Sequence, residues 1–283
     1  MAENNPLQKY FRQPAIYVQL PSGGKGYPPG TLDMPANGEI PIYPMTAMDE
    51  IIMRTPDALF NGVSNIKLFK SCVPNILDPW AIPGTDLDLL LTSIRIASYG
   101  HDMEMTVKCP KCDETQDYTL DLRQVVDSIK APDYTKSLAI DGLEIYFQPL
   151  TYKKLNDTAR RQFENQRLLS VTGNANSEMT EEQRLNALSL AMEEVTRLSN
   201  DNLASSMVAI RTPETMVEDP AHITEFLENA SKRVYDAIRD HLVGIREDTT
   251  MKPLHIRCNS DKCGHEFDTP YTLDQSNFFA SGS

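Results

Sequence analysis

Between residues 14 and 44, apolar side chains (Ile16, Tyr17, Val18, Leu20, Tyr27, Leu32, Ile40, Ile42 and Tyr43) punctuate runs rich in Pro and Gly. Pro fixes φ and removes an amide donor, while Gly loosens the backbone. The pattern predicts an extended arm with short strand or turn pieces that lies along its own domain or a neighbour. A flexible linker, the alternative, has little use for so many aromatic and aliphatic residues. From Thr46 the spacing becomes helical. Met48, Ile51 and Ile52 follow a Thr46 N-cap with Asp49 in the first turn, and Pro56 divides this stretch from Leu59 and Phe60. Ile66, Phe69, Lys70 and Val73 fall at i, i+3, i+4 and i+7, a short amphipathic helix. TDLDLLLTSIRIASYG reads as a helix with Thr85 as N-cap, Asp88 three residues on, and Gly100 at its end. It is apolar on more than one face, so it belongs at the centre of an N-terminal core.

Alternation then replaces helical spacing. Met103, Met105 and Val107, and later Tyr118, Leu120 and Leu122, mark two strands flanking a CPKC turn. LAIDGLEIYF reads as a hairpin about Asp141-Gly142, a pair suited to a type I′ turn. From Thr151, three helices are predicted over almost 100 residues. The first is TYKKLNDTARRQFENQRLLSV, followed by the loop TGNANSEM. The second, TEEQRLNALSLAMEEVTRLSNDNLASSMVAIR, opens on a Thr180/Gln183 capping box and carries Leu185, Leu188, Met192, Val195 and Leu198 at three-and-four spacing. The third, DPAHITEFLENASKRVYDAIRDHLVGI, starts from an Asp219 N-cap with Pro220 at the first helical position. The stripes are read as the core of an antiparallel bundle or helical hairpin. A partner-binding coiled coil is the second reading of the same spacing.

The chain has 283 residues with 40 Asp and Glu against 27 Lys and Arg, a formal net charge of −13. So acidic a chain repels phosphate backbones, which disfavours nucleic-acid binding. Nothing approaches the roughly 20 apolar residues of a membrane span. The N-terminal residues lack a signal-peptide pattern, so the cysteines are expected in a reducing compartment, where pairs more often hold metal than form disulfides. Four of the five cysteines form two pairs. Cys109 and Cys112 lie in MTVKCPKCDETQDYTLDL, and Cys258 and Cys263 lie in HIRCNSDKCGHEFDTPYTLD. Each pair sits at a tight turn between two strands, and both contexts end in Tyr-Thr-Leu-Asp. Two such knuckles facing each other make a tetrahedral Cys₄ site for structural Zn²⁺, as in a zinc ribbon. His265, two residues after Cys263, is an alternative ligand. Lys108, Lys111, Arg257 and Lys262 flank the thiols and favour their deprotonated form. Cys72 is expected to be a buried apolar side chain.

These readings give an α+β chain with a split metal module. Residues 1–45 are the Pro-rich arm and 46–100 a helical N-terminal domain. Residues 101–122 and 254–275 are the two halves of the zinc ribbon, and 123–253 an inserted hairpin plus three-helix region. Four thiolates close a metal site to substrate. No HExxH, P-loop, GxSxG or dinucleotide fingerprint is present. Gly23-Gly24-Lys25-Gly26 lacks the spacing and following helix of a phosphate loop. No enzymatic activity is expected.

The runs YPMTAMDEIIMRTPDALFNG, then SCVPNILDPWAIPGTDLDLLLTSIRIASYG, then the CPKC segment resemble the baseplate hub proteins of T-even-like contractile-tailed bacteriophages. The resemblance is closest over about Tyr43 to Leu122. It implies a virion or assembly component of the tail baseplate, put together in the host cytoplasm. Its contacts would be with other hub, wedge or tail-tube proteins, with self-association in a symmetric assembly, and with neither nucleic acid nor membrane. It supplies no catalytic residue. Two other readings are a zinc-ribbon nucleic-acid-binding or transcription-associated factor, and a baseplate assembly chaperone absent from the mature virion.

Overall fold

The computed structural model describes residues 6–54, 62–173, 180–247, 253–260 and 262–269. The expected break at Pro56, with Leu59 and Phe60, lies outside them, as does the second Tyr-Thr-Leu-Asp. The chain divides into two compact units. One is built from Met1–Pro79, Thr85–Ala131 and Thr249–Ser283, the other from Trp80–Gly84 and Pro132–Asp248.

In the first unit the Pro-rich arm folds back on itself and enters the core. Strand β1 (Ile16–Gln19) pairs antiparallel with β2 (Glu39–Ile42) in the register Ile16↔Ile42, and Ile40 and Ile42 are completely buried. Pro41 is tolerated because the strands form a two-stranded ribbon with unpaired edges. Polar contacts at Arg12, Ser22 and Asp33 help to fix the arm. Arg12 donates to the Ser71 carbonyl and hydroxyl, both at 2.7 Å, and to the Pro44 carbonyl, and lies 3.5 Å from the Asp49 carboxylate. Ser22 donates its amide (2.9 Å) and hydroxyl (2.6 Å) to the buried Asp86 carboxylate. The Asp33 amide reaches the Asn75 carbonyl at 2.8 Å. The segment is therefore a structural wrap of its own unit and no flexible linker.

Helix α1 (Ala47–Met53) starts from a complete Thr46/Asp49 capping box. Helix α2 (Val63–Cys72) buries Ile66, Leu68, Phe69 and Cys72. Burial pushes the Cys72 thiol up to about 11, so it behaves as an apolar side chain rather than a nucleophile. Helix α3 (Gly84–Tyr99) is buried over Leu89–Arg95. It begins at Gly84, one residue before the predicted cap, so Thr85 is not the N-cap. Its engaged first-turn carboxylate is Asp86 and not Asp88: hydrogen bonds from the distant Ser22 outrank the local capping pattern. Gly100 ends the helix as read, with φ of 89° and its amide 3.0 Å from the Ile96 carbonyl. Strands β3 (Asp102–Lys108) and β4 (Thr115–Asp121) form a seven-residue antiparallel hairpin, followed by α4 (Leu122–Ser128). Strands β9 (Leu254–Arg257) and β10 (Glu266–Thr269) form a second, shorter hairpin.

The second unit packs helices on a four-stranded antiparallel sheet in the order β5-β6-β7-β8. Strands β5 (Leu138–Ile140) and β6 (Leu143–Phe147) are joined at Asp141 (φ 50°) and Gly142 (φ 77°), the two positive angles of a type I′ turn. Helix α5 (Tyr152–Gly173) lies antiparallel beside α6 (Glu181–Ser205), which opens on the Thr180/Gln183 capping box. Residues Met207–Arg211, read as helix, are instead strand β7, paired with β6 and with β8 (Met216–Val217). Their two β-branched residues, Val208 and Ile210, and the sheet edge offered by β6 outweigh the helical spacing. The long third helix is also two, α7 (Pro220–Asn229) and α8 (Lys232–Glu247), separated at Ala230–Ser231. The break lets both apolar stripes reach one core: Ile223 and Leu227 join Val234, Ile238, Leu242 and Ile245 over Ile145, Phe147, Leu203 and Ile210.

Arg12 holds the start of the arm while Asp49 is also satisfied by Thr46 and Ser71. Arg12→Met removes charged hydrogen bonds without leaving the carboxylate bare. It is expected to destabilise the first unit by about 1–2 kcal/mol, read as a lower unfolding midpoint and faster protease cleavage before residue 20.

Candidate metal centre

The two cysteine pairs sit at the tips of hairpins β3–β4 and β9–β10, and local backbone geometry makes each tip a knuckle. In the first, the Asp113 amide donates to the Cys109 carbonyl (3.0 Å) and the Cys109 amide to the Glu114 carbonyl (2.9 Å), with Asp113 at φ 60°. In the second, the Cys258 amide donates to the His265 carbonyl (2.8 Å) and the Cys263 amide to the Ser260 carbonyl (2.9 Å), with Gly264 at φ 53°. Each turn reverses through a left-handed residue directly after its second cysteine. Asp is tolerated there at some cost, and Gly at none.

The hairpins face each other over a small apolar cluster of Val107, Ile256 and Phe267, with Cys109 and Cys258 buried among them. Gln116 joins them from one side. Its amide nitrogen donates to the Arg257 carbonyl (3.0 Å) and its oxygen accepts from the Asn259 amide (2.7 Å). Nothing in a strand's alternation singles out a half-buried Gln for such a clip.

The result is that Cys109, Cys112, Cys258 and Cys263 place their sulfurs within 4.8 Å of one another. Across the hairpins, Cys109 Sγ lies 3.9 Å from Cys263 Sγ, and Cys112 Sγ lies 3.7 Å from Cys258 Sγ. Four thiolates at about 2.3 Å from a tetrahedral Zn²⁺ stand about 3.8 Å apart. All four are free thiols, and the spacing is that of ligands around an ion. His265 is not in the cluster; its ring stacks near Phe267, with centroids 6.3 Å apart.

Electrostatics set the same requirement. Burial opposes ionisation of Cys109, yet the Cys112 and Lys111 amides bring its pKa down to about 7. The Glu114 amide favours the Cys112 thiolate, but desolvation and the adjacent sulfurs outweigh it and push that thiol up to about 12. The Cys109 thiolate thus forms easily while Cys112 and Cys258 resist, a balance that a cation among the sulfurs would shift. Of the flanking bases, Lys108 is committed to Asp113 at 2.8 Å. The four-cysteine cluster is compatible with a zinc-ribbon-like site, closed by sulfur on all sides.

His255 bridges the strands of the second hairpin, with Nδ1 2.9 Å from Asp268 and Nε2 3.7 Å from Glu266.

The family model described as T4 bacteriophage base plate protein matches residues 14–280. The chain belongs to that family. No curated protein and no solved structure matches it. The T4 baseplate family is one of structural phage proteins, and membership implies contacts with other baseplate proteins. The match spans both cysteine hairpins and both compact units. Among the described residues, no helix of this baseplate protein is long and apolar enough to cross a membrane.

Gln116→Leu removes the clip and leaves the Asn259 amide without its side-chain acceptor. A loss of about 1–2 kcal/mol is expected in hairpin docking, visible as faster amide exchange at Asn259 while the β3–β4 ladder stays protected. His255 supplies the pH signature. Its hydrogen bond to Asp268, with the charges of Asp268 and Glu266, raises its pKa above the ordinary value near 6.5. Its contribution is complete below that unfolded-state value and is lost as pH rises through the higher folded-state value. An NMR titration should place the His255 midpoint above that of the same residue in Asp268→Asn.

Proposed function

We propose that this chain is a structural component of the hub region of a contractile phage tail baseplate, acting by protein contacts during tail assembly. Its two distant cysteine hairpins are held together by one structural Zn²⁺ bound to Cys109, Cys112, Cys258 and Cys263. The observation that carries the metal is the convergence of four sulfurs from residues 146 and 154 positions apart. Family membership and the resemblance of the N-terminal half to hub proteins support the location. The ion would supply charge neutralisation and a cross-link. An all-thiolate, closed coordination sphere leaves no position for substrate water, so the chemistry is structural.

The residues divide the work simply. Cys109 and Cys258 anchor the ion from the buried side, and Cys112 and Cys263 close it from the more exposed side. The Pro-rich arm is tied down within its own unit, so the surfaces it offers to neighbours are formed before assembly rather than ordered by it. Such preorganisation lowers the entropic cost of docking.

Two measurements test this reading. Elemental analysis of purified protein should give one zinc per chain without visible absorption, and Cys258→Ser should lose the metal and several kcal/mol of stability. Iron, or no metal with four thiols reactive to a probe, overturns the zinc. Mass spectrometry of purified tails, with a density map of the baseplate, should find the chain near the axis. Its absence from mature particles would make it an assembly chaperone, and a position at the periphery would remove the hub assignment.

A further inference from the structure

The sulfurs of the metal centre meet in two pairs that run between the hairpins. Cys112 Sγ lies 3.7 Å from Cys258 Sγ, and Cys263 Sγ lies 3.9 Å from Cys109 Sγ. Each pair joins a sulfur open to solvent with one shielded from it: Cys112 is exposed and Cys263 half-buried, while Cys258 and Cys109 are buried. The sulfurs of a disulfide stand about 2.05 Å apart, so each pair has less than about 2 Å to close. The hairpins are also held face to face by contacts that need no ion, the cluster of Val107, Ile256 and Phe267 and the two Gln116 hydrogen bonds. The protein itself therefore keeps the sulfurs opposed.

We propose that the site is a redox switch: on oxidation by a peroxide, the link between the hairpins passes from a shared metal ion to two disulfides, one joining Cys112 with Cys258 and one joining Cys109 with Cys263. The oxidant meets the accessible sulfur first. The Cys112 thiolate attacks hydrogen peroxide, the O–O bond breaks, and a sulfenic acid forms with release of one hydroxide. The Cys258 thiolate then attacks that sulfur. The S–S bond forms as the S–O bond breaks, and a second hydroxide leaves. Cys263 and Cys109 repeat the sequence. Four thiolates thus give four electrons to two peroxides, two disulfides and four hydroxides result, and no thiolate is left to hold a cation. A buried resolving sulfur beside each accessible one stops oxidation short of the irreversible sulfinic acid.

The consequence follows from the topology. The disulfides span 154 and 146 positions, so either one closes the chain around residues 132–248 of the second unit. Pairing inside a hairpin, Cys109 with Cys112 or Cys258 with Cys263, would close only a turn and leave the hairpins unlinked. The switch rests on the zinc reading for its starting state and on the positions of the thiols for its product. In the proposed setting, a protein assembled in the reducing host cytoplasm is carried in a particle outside the cell, and such a change of compartment is what makes thiolates oxidisable.

The test is a disulfide map of the full metal-bound chain, treated with a few equivalents of hydrogen peroxide, alkylated, and digested with trypsin without reduction. Lys108, Lys111, Arg257 and Lys262 immediately precede the four cysteines, so each cysteine falls on its own peptide and every pairing has its own mass. The expected result is the two cross-hairpin pairs, Cys72 alkylated, and one zinc released to a chromogenic chelator for every two disulfides. The oxidised chain should unfold at a higher temperature than the metal-free reduced chain, and dithiothreitol with zinc should restore the four thiols and the metal. Pairing within a hairpin, sulfinic acid at Cys112 without a disulfide, or an oxidised state that dithiothreitol does not reverse would each overturn the proposal. The metal-free chain, oxidised in the same way, separates the two readings: a chain purified without zinc counts against the metal, and its disulfide map still decides the pairing.

Discussion

The constraint on which the first unit depends is the meeting of two hairpins that are short and weak by themselves. Two-stranded ribbons are marginal in water, and β9–β10 has only four paired residues per strand. What the hairpins share is one small apolar cluster, the Gln116 clip and four sulfurs. The sulfurs are the demanding part. Brought within 4.8 Å of each other, they cannot all ionise in the absence of a cation, and protonated they contribute little beyond apolar contact. The proposed zinc turns this liability into a cross-link: its thiolates are stabilised by the charge that their mutual repulsion would otherwise require.

Chain connectivity makes the same point. Residues 132–248 form a compact unit of their own, and the chain returns to the first unit only afterwards. Closing so long a loop costs entropy that grows only as about (3/2)RT ln n, and a folded second unit with neighbouring ends would reduce the effective length further. The proposed ion, worth roughly 10–16 kcal/mol in small modules, would therefore be sufficient to fix the return of the chain. The β9–β10 hairpin, too small to hold itself, gains its place from the β3–β4 hairpin rather than from residues near it in sequence.

Much of this was legible in the residues because it is local chemistry. The Thr46/Asp49 and Thr180/Gln183 boxes, the Asp219-Pro220 start and the Asp141-Gly142 turn each follow from two or three adjacent side chains, and all appear where the pattern puts them. The convergence of the four cysteines was legible for a related reason: thiol pairs at matching turns have few other uses. What escaped was set at a distance. Met207–Arg211 obeys helical spacing, yet β6 offered an edge that local pattern does not reveal. Ala230–Ser231 contains no Pro or Gly, and the break there comes from the need to face two stripes into one core. Asp86, Arg12 and Gln116 are ordinary polar residues whose importance lies wholly in partners dozens of positions away.

The arm and an apolar stripe of α6 show two opposite solutions to one problem, the placing of apolar side chains outside regular core elements. The arm's Pro and Gly suggested a segment free to lie on a neighbour, but Ile40 and Ile42 are fully buried within the same unit. The α6 stripe of Leu185, Leu188, Met192 and Val195, read as bundle core from its regular spacing, stands largely in solvent. Periodicity reports that a face is apolar and says nothing of which molecule covers it. Ala191 and Leu198 supply the buried side of the helix here, and the stripe beside them is redundant for folding, since the unit's core is complete without it. In a chain that belongs to a baseplate family, that redundancy has a physical use. Apolar area not spent on folding is area available for association.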